Sequence, residues 1–256
     1  MTLFVTNGTL LGKKTVIYGD NSAESVQRKD PKQQGQMNME LRDEWKRIQS
    51  MPYVGILLIA CNVILFLICT FTGQLLYNKG GLSPALCLDM KQYYRLIVAM
   101  FLHADIEHLL NNMLLLGGLG AMLEPEIGHG SFCVLYFVGG LGGQIASLLY
   151  KACAGEWYVV SIGASGAVYG LVGVLLAMSL CRYRKMPTVT WQKVIIVVVF
   201  TIYSGLRTTN IDNAAHAGGF VTGTAAGLVV CLLNKLIKKS NRKDIPQEEW
   251  SRRDEY

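Results

Sequence analysis

Four stretches of this chain, Tyr53–Thr72, Ser131–Tyr150, Trp157–Cys181 and Asn213–Asn234, contain no Lys, Arg, Asp or Glu. A helix needs roughly 20 apolar residues to cross the hydrocarbon core of a bilayer, so each stretch is long enough to span one. Backbone N–H and C=O groups in lipid must pair within the segment, which leaves helices as the economical reading of such runs. Two weaker stretches join them: His108–Leu123, uncharged but short, and Trp191–Leu206, interrupted only by Lys193 near its start. The expected fold is therefore an all-α membrane protein with six transmembrane helices. Composition agrees, with 51% apolar and only 16% charged residues.

Around the apolar block the chain divides into residues 1–50, an N-terminal region to which no role is assigned, residues 51–237, the six-helix domain, and residues 238–256, a charged tail. In the first region Thr15–Tyr18 reads as a short β-like piece, Lys29–Gln36 as a polar linker and Met37–Ser50 as a short helix approaching the membrane. No cleavable signal peptide opens the chain, because residues 1–50 hold no long apolar run.

The net charge of +6 invites a nucleic-acid partner, but the distribution of the basic residues points elsewhere. With six spans and an inner N-terminus, the inner segments hold 19 Lys and Arg, whereas the outer ones hold five: Lys79, Lys91, Arg95, Lys151 and Arg207. This is the asymmetry of the positive-inside rule. It places both the N-terminus and the C-terminus in the cytoplasm, with the lipid bilayer as partner, no nucleic acid, and a multi-pass protein of the cell membrane. The seven cysteines are odd in number and form no C-x-x-C pair, so neither a disulfide framework nor a zinc cluster is signalled. No metal and no cofactor are expected, and no feature signals an oligomeric state.

The first long loop, Gly73–Glu107, carries Tyr93-Tyr94-Arg95 and the apolar run Leu96–Leu102, and is expected to lie partly in the membrane interface. Polar residues inside spanning helices are costly and become functional candidates by default. Four stand out: His108 and Asn112 at the start of the second span, Ser165 near the start of the fourth, and His216 near the start of the sixth. Even-numbered spans all begin on the outer side, so these residues share a depth. Taken singly each has a plain explanation. His108 and Asn112 are one turn apart and could serve an interhelical hydrogen bond. Ser165, among small residues, could serve helix packing. His216, flanked by small residues in a long apolar run, has no obvious packing purpose.

Taken together they have one job. A serine hydroxyl becomes a nucleophile when an adjacent base takes its proton, and His is the usual base. The tetrahedral intermediate needs donors aimed at its oxyanion. The Ser165 backbone N–H at a helix start, the Asn112 amide and a His108 ring N–H are the candidates. Gly166, Gly170 and Gly173, with Gly219, Gly223 and Gly227, mark small faces on the fourth and sixth spans. Such faces let two backbones approach closely and would bring Ser165 and His216 within reach.

Gly163-Ala164-Ser165-Gly166 with Tyr169, Ala215-His216-Ala217-Gly218-Gly219 with Gly223, and His103 followed by His108-x-x-x-Asn112 together resemble the rhomboid intramembrane proteases. So do Arg95 after an aromatic pair, although Tyr94 stands where the family usually has Trp, and Glu124 at the end of the second span. The resemblance covers about residues 53–235. It implies a six-helix rhomboid bundle of the bacterial type and a catalytic Ser165–His216 dyad without an acid. It further implies an oxyanion and substrate-binding set of His108, Asn112 and Gly163, and a Tyr169 ring packed on the histidine. Single-pass transmembrane proteins are the implied substrates, cut near the outer face. A helix hides its carbonyls in hydrogen bonds, so the cut segment should hold helix-weakening Gly or Pro, with small residues at the cut.

Asp212, four residues before His216, would share its helix face, but the resemblance favours a dyad, with Asp212 ending the outer loop. G-x-S-x-G fails because Ala167 occupies its last position, and no H-E-x-x-H metalloprotease motif occurs. A catalytically silent relative would lack the Ser or the His, and both are present. A solute transporter would favour paired repeats in the two halves, and none is visible.

Overall fold

The computed structural model describes residues 36–44, 50–73, 75–181, 189–207 and 212–243. The chain divides into two units, Met1–Lys46 and Arg47–Tyr256. In the first, residues 36–44 form an exposed helix. The expected strand at Thr15–Tyr18, most of the linker after it and the tail beyond residue 243 lie outside the described residues.

The second unit is carried by six long helices: α1 (Tyr53–Thr72), α2 (Ile106–Ile127), α3 (His129–Ala154), α4 (Ser165–Leu180), α5 (Trp191–Arg207) and α6 (Asn213–Lys243). By length and composition, α1, α2, α3 and the Asn213–Ile237 part of α6 are long and apolar enough to cross a membrane. Helix α4 and the Gln192–Thr201 part of α5 are apolar but shorter.

Helix ends follow capping chemistry more closely than they follow charge. Helix α2 begins at Ile106, before its charge-free stretch, because the Asp105 carboxylate accepts the backbone N–H of His108 at 2.8 Å, an N-cap that satisfies one of the helix's orphan donors. Helix α3 ends at Gly155, whose left-handed φ of 76° lets its N–H reach back to the last turn. Helix α4 departs furthest from expectation. The charge-free run Trp157–Cys181 is not one helix, because Trp157–Ala164 is non-helical and only Ser165–Leu180 is α-helical. Val159 and Val160 favour extended backbone. Leu82 and Ser161 exchange backbone hydrogen bonds of 3.0 and 2.7 Å, and Ala85 donates to the Trp157 carbonyl at 3.1 Å. Trp157, Tyr158, Val159 and Val160 stay exposed, so the lack of charge in this run marks neither a buried segment nor a helix.

Small residues place α4 at the centre. The Cβ that Gly170 lacks would fall 2.6 Å from Gly139 Cα on α3, and that of Gly143 would fall 3.0 Å from Gly166 Cα and 2.7 Å from the Ala215 carbonyl oxygen on α6. Across the other seam, a Cβ on Gly219 would strike the Gly166 carbonyl, and one on Gly227 would lie 3.1 Å from Val174 Cα. These contacts are backbone against backbone, the approach small residues permit in membrane bundles. Leu116, Leu119, Leu123, Phe132, Tyr136, Leu171, Leu175 and Met178 fill the core toward the other end.

The first loop is folded. The buried Arg95 guanidinium donates to the carbonyls of Gly81 at 2.7 Å and Asn78 at 3.0 and 3.1 Å, and to Gln92 Oε1 at 2.7 Å. Leu88, Met90, Tyr93, Tyr94, Ile97 and Val98 stay exposed, the apolar rim expected of a loop resting in the interface. At the far end of α2 the buried Glu124 carboxylate accepts the backbone N–H groups of Val54 and Gly55, both at 2.8 Å, and faces His129 Nδ1 at 2.5 Å. An anion at the N-terminus of α1 meets unpaired donors and the positive end of the helix dipole.

Candidate active site

Gly163 turns the chain into α4 with a φ of +123°, backbone that L side chains rarely adopt. Its N–H donates to the Ala99 carbonyl at 2.8 Å, which ties the turn to the first loop. A Cβ at Gly163 would lie 2.8 Å from His108 Cε1 and Nε2 and 3.8 Å from Ser165 Oγ. The space left by one missing side chain is thus where the His108 ring and the Ser165 hydroxyl come together. Ser165 is the first residue of α4, so its own N–H is among the donors that the helix leaves unpaired.

The α4–α6 seam brings the second histidine to the same end. Tyr169, one turn after Ser165, stacks its ring on that of His216, with centroids 4.0 Å apart and planes inclined by 10°. The Tyr169 hydroxyl donates to the Thr201 carbonyl of α5 at 3.1 Å, so the stack is held from a third helix. Among the described residues no hydrogen bond joins Ser165 to His216.

His108 packs edge-on against His103, centroids 5.0 Å apart. Burial, with His108 beside it, pushes His103 down to about 3, so this ring is neutral at physiological pH. Asn112 is buried one turn after His108, and among the described residues its Nδ2 has no hydrogen-bond partner. It is a donor left over at the floor of the site. Ser165, His108, Gly163, Tyr169 and His216 are thereby brought to one end of the bundle, with Asn112 one turn further in.

Sequence reasoning singled out Asp212 as the end of the outer loop, but did not find the polar group built around it. Asp212 Oδ2 accepts from Ser147 Oγ at 2.5 Å, Ser161 Oγ at 2.5 Å and Lys151 Nζ at 3.0 Å, and Oδ1 accepts the Ala215 N–H at 3.0 Å. Burial opposes ionisation of this carboxyl, but hydrogen bonds from Ser147, Ser161, the Ala215 N–H and Lys151 outweigh it and hold it at about 2. Beside Asp212 itself, the available signal was Lys151, a basic residue on the side where the chain carries few.

A family profile described as the Rhomboid domain matches residues 90–233. The chain is 28% identical over 186 residues to the rhomboid protease GluP of Bacillus subtilis (strain 168), covering 71% of this chain and 35% of that protein. It is 36% identical over 157 residues to RHOMBOID-like protein 5 of Arabidopsis thaliana, covering 60% and 50%. It is 30% identical over 175 residues to Rhomboid-like protease 3 of Toxoplasma gondii, covering 67% and 61%. The chain therefore spans half or less of the first two relatives' length.

Proposed function

The chain belongs to the rhomboid family, and on that premise we propose that it is an intramembrane serine endopeptidase in which Ser165 is the nucleophile and His216 the base. It is an integral membrane protein, and the proposed membrane is the cell membrane. The observation that carries the reading is the close approach at Gly163: a ring from α2 and a hydroxyl from α4 meet there, while the next turn of α4 stacks on a histidine of α6.

In this reading Ser165 Oγ attacks the scissile carbonyl as His216 accepts its proton. The Ser165 N–H, a His108 ring N–H and the Asn112 amide stabilise the oxyanion, and His216 then protonates the leaving amine. Tyr169 holds the imidazole in plane. Four donors fill Asp212, and among the described residues it makes no hydrogen bond to the His216 ring, which favours a dyad over a triad. All six helices span, both termini are cytoplasmic, and the site faces the outer side. The distribution of Lys and Arg supports that orientation. Helix α4 has 16 residues, about 24 Å at 1.5 Å per residue, and is sheathed by its neighbours, so it can fall short of the full hydrocarbon thickness. Substrates are single-pass transmembrane proteins, with helix-weakening residues near the outer end of the segment, where the chain unwinds to present a carbonyl.

The test is cleavage of a fluorogenic transmembrane substrate by the purified detergent-solubilised protein, beside Ser165→Ala and His216→Ala. Each substitution is expected to lower kcat at least about a thousandfold. Cleavage surviving in Ser165→Ala would overturn the assignment of the nucleophile.

A further inference from the structure

The Asp212 node lies beside the catalytic pair and is not used by the mechanism above. Its geometry is unusual in what it connects. Asp212 stands four residues before His216 and its backbone carbonyl accepts the His216 N–H at 3.1 Å. Its Oδ1 caps the same first turn of α6 through Ala215. Its Oδ2 meets Ser161, four residues before Ser165, in the extended segment that leads into α4. Ser147 and Lys151 complete the set from α3; they are one helical turn apart, so both reach the carboxylate from one face. Lys151 Nζ also donates to Ser161 Oγ, and the Ser147 and Ser161 hydroxyls lie 2.8 Å apart. One carboxylate thus ties the entry of the nucleophile's helix to the entry of the base's helix, with α3 as the fixed post.

On the protease reading above, we propose that Asp212, clamped by Lys151, Ser147 and Ser161, is a positioning residue that sets the register of His216 against Ser165. It touches neither substrate nor the reacting atoms. The glycine seam fixes how closely α4 and α6 approach, but a smooth seam of small residues leaves sliding along its length and rotation about the helix axes weakly opposed. A directional, charge-assisted set of hydrogen bonds at the end of the seam opposes both. A buried ion pair of this kind often adds little net stability over neutral replacements of similar volume. Its effect should therefore appear in the chemistry and not in the melting temperature. That separation distinguishes positioning from a structural role.

The experiment uses the full chain in detergent with four variants: Asp212→Asn, the double variant Lys151→Met with Asp212→Asn, Lys151→Arg, and Ser165→Ala as the inactive control. The double variant removes both charges together, so no buried charge is left unpaired and the fold is kept. Tm is measured for each, and three quantities are read at a temperature where all are folded: kcat and KM on the transmembrane substrate, and the rate at which a small fluorophosphonate labels Ser165. A displacement of about 1 Å at a catalytic pair can cost on the order of a hundredfold in rate. The double variant should thus lose ten- to a hundredfold in kcat with KM held within about twofold, and label more slowly by a similar factor. Lys151→Arg, which keeps the charge pair, should retain most of the parental kcat and labelling rate. Parental kcat and labelling in the folded double variant would overturn the proposal, as would a loss that tracks only the folded fraction. Neither result would touch the protease reading, which fails only if Ser165→Ala still cleaves.

Discussion

Helices α1 and α4 are both strongly apolar and uncharged, yet the structure uses them in opposite ways. Four of the 20 residues of α1 are buried, against 11 of the 16 residues of α4. Helix α1 turns Ile56, Leu57, Ile64, Leu67 and Phe71 outward, whereas α4 is enclosed by α2, α3 and α6. Hydropathy determines that a segment enters lipid; it does not determine where in the bundle the segment sits. What separates the two is residue size. Gly166, Gly170 and Gly173 let the backbones of α3 and α6 close on α4 along its length, while α1 meets the α2 backbone at Gly55 and Gly120 and turns large side chains outward elsewhere.

The comparison is broken most severely by adding one methyl group to the seam. Gly219→Ala would place a Cβ against the Gly166 carbonyl and 2.9 Å from its carbon, backbone atoms that cannot swing aside. Helix α6 must shift, and Ser165 and His216 part with it. We expect a loss of about a hundredfold in kcat and a lower Tm. The same substitution at Gly118, on the exposed face of α2 with nothing within 4 Å, should leave kcat unchanged and raise stability by about 0.5–1 kcal/mol through helix propensity. If both variants behaved alike, the enclosed position of α4 would not rest on the seam.

The seam also shows what was legible beforehand. The i, i+4 spacing of Gly219, Gly223 and Gly227 and the small face of α4 can be read directly, as can the polar residues 108, 112, 165 and 216 that interrupt apolar runs. The ends of α1 coincide with its named charge-free stretch, where Pro52 precedes the helix and Gly73 follows it. The third side of the seam, Gly139 and Gly143 on α3, was missed, since in Gly139-Gly140-Leu141-Gly142-Gly143 no single face is distinguished. The start of α4 was misplaced because a bridge from Ser161 to Leu82, far away in sequence, keeps the segment before Ser165 out of the helix. The Asp212 node escaped for the same reason. Its members come from three segments and up to 65 residues apart, with no period to give them away.

Acid should separate the node from the seam, because only the node titrates. The Asp212 carboxyl sits at about 2 against an ordinary 3.8, a depressed folded-state value. Its contribution is therefore present above pH 3.8 and is lost as pH falls through about 2. The whole is on the order of 2 kcal/mol, most of it gone by pH 2.5. Unfolding free energy measured in mixed micelles between pH 5 and pH 2.5 should fall by that amount in the parent. The fall should be smaller by the same amount in the Lys151→Met, Asp212→Asn double variant. Equal slopes in the two proteins would mean that the carboxylate is not held by its four donors in solution.

The smallest effect is expected on α1. Leu57 is 62% exposed, while Leu58 beside it is 6% exposed and packs into the core. Truncating Leu58 to Ala should cost about 2–5 kcal/mol, the usual range for a buried leucine. Truncating Leu57 should change stability by less than about 0.5 kcal/mol, because detergent or lipid tails replace the methyl groups at no loss of protein contact. Thermal midpoints of the two variants at matched detergent concentration give the comparison directly. A Leu57→Ala variant as destabilised as Leu58→Ala would mean that the outward face of α1 is covered by protein in the assembled state. The contrast between α1 and α4 would then hold for one chain alone and not for the assembly.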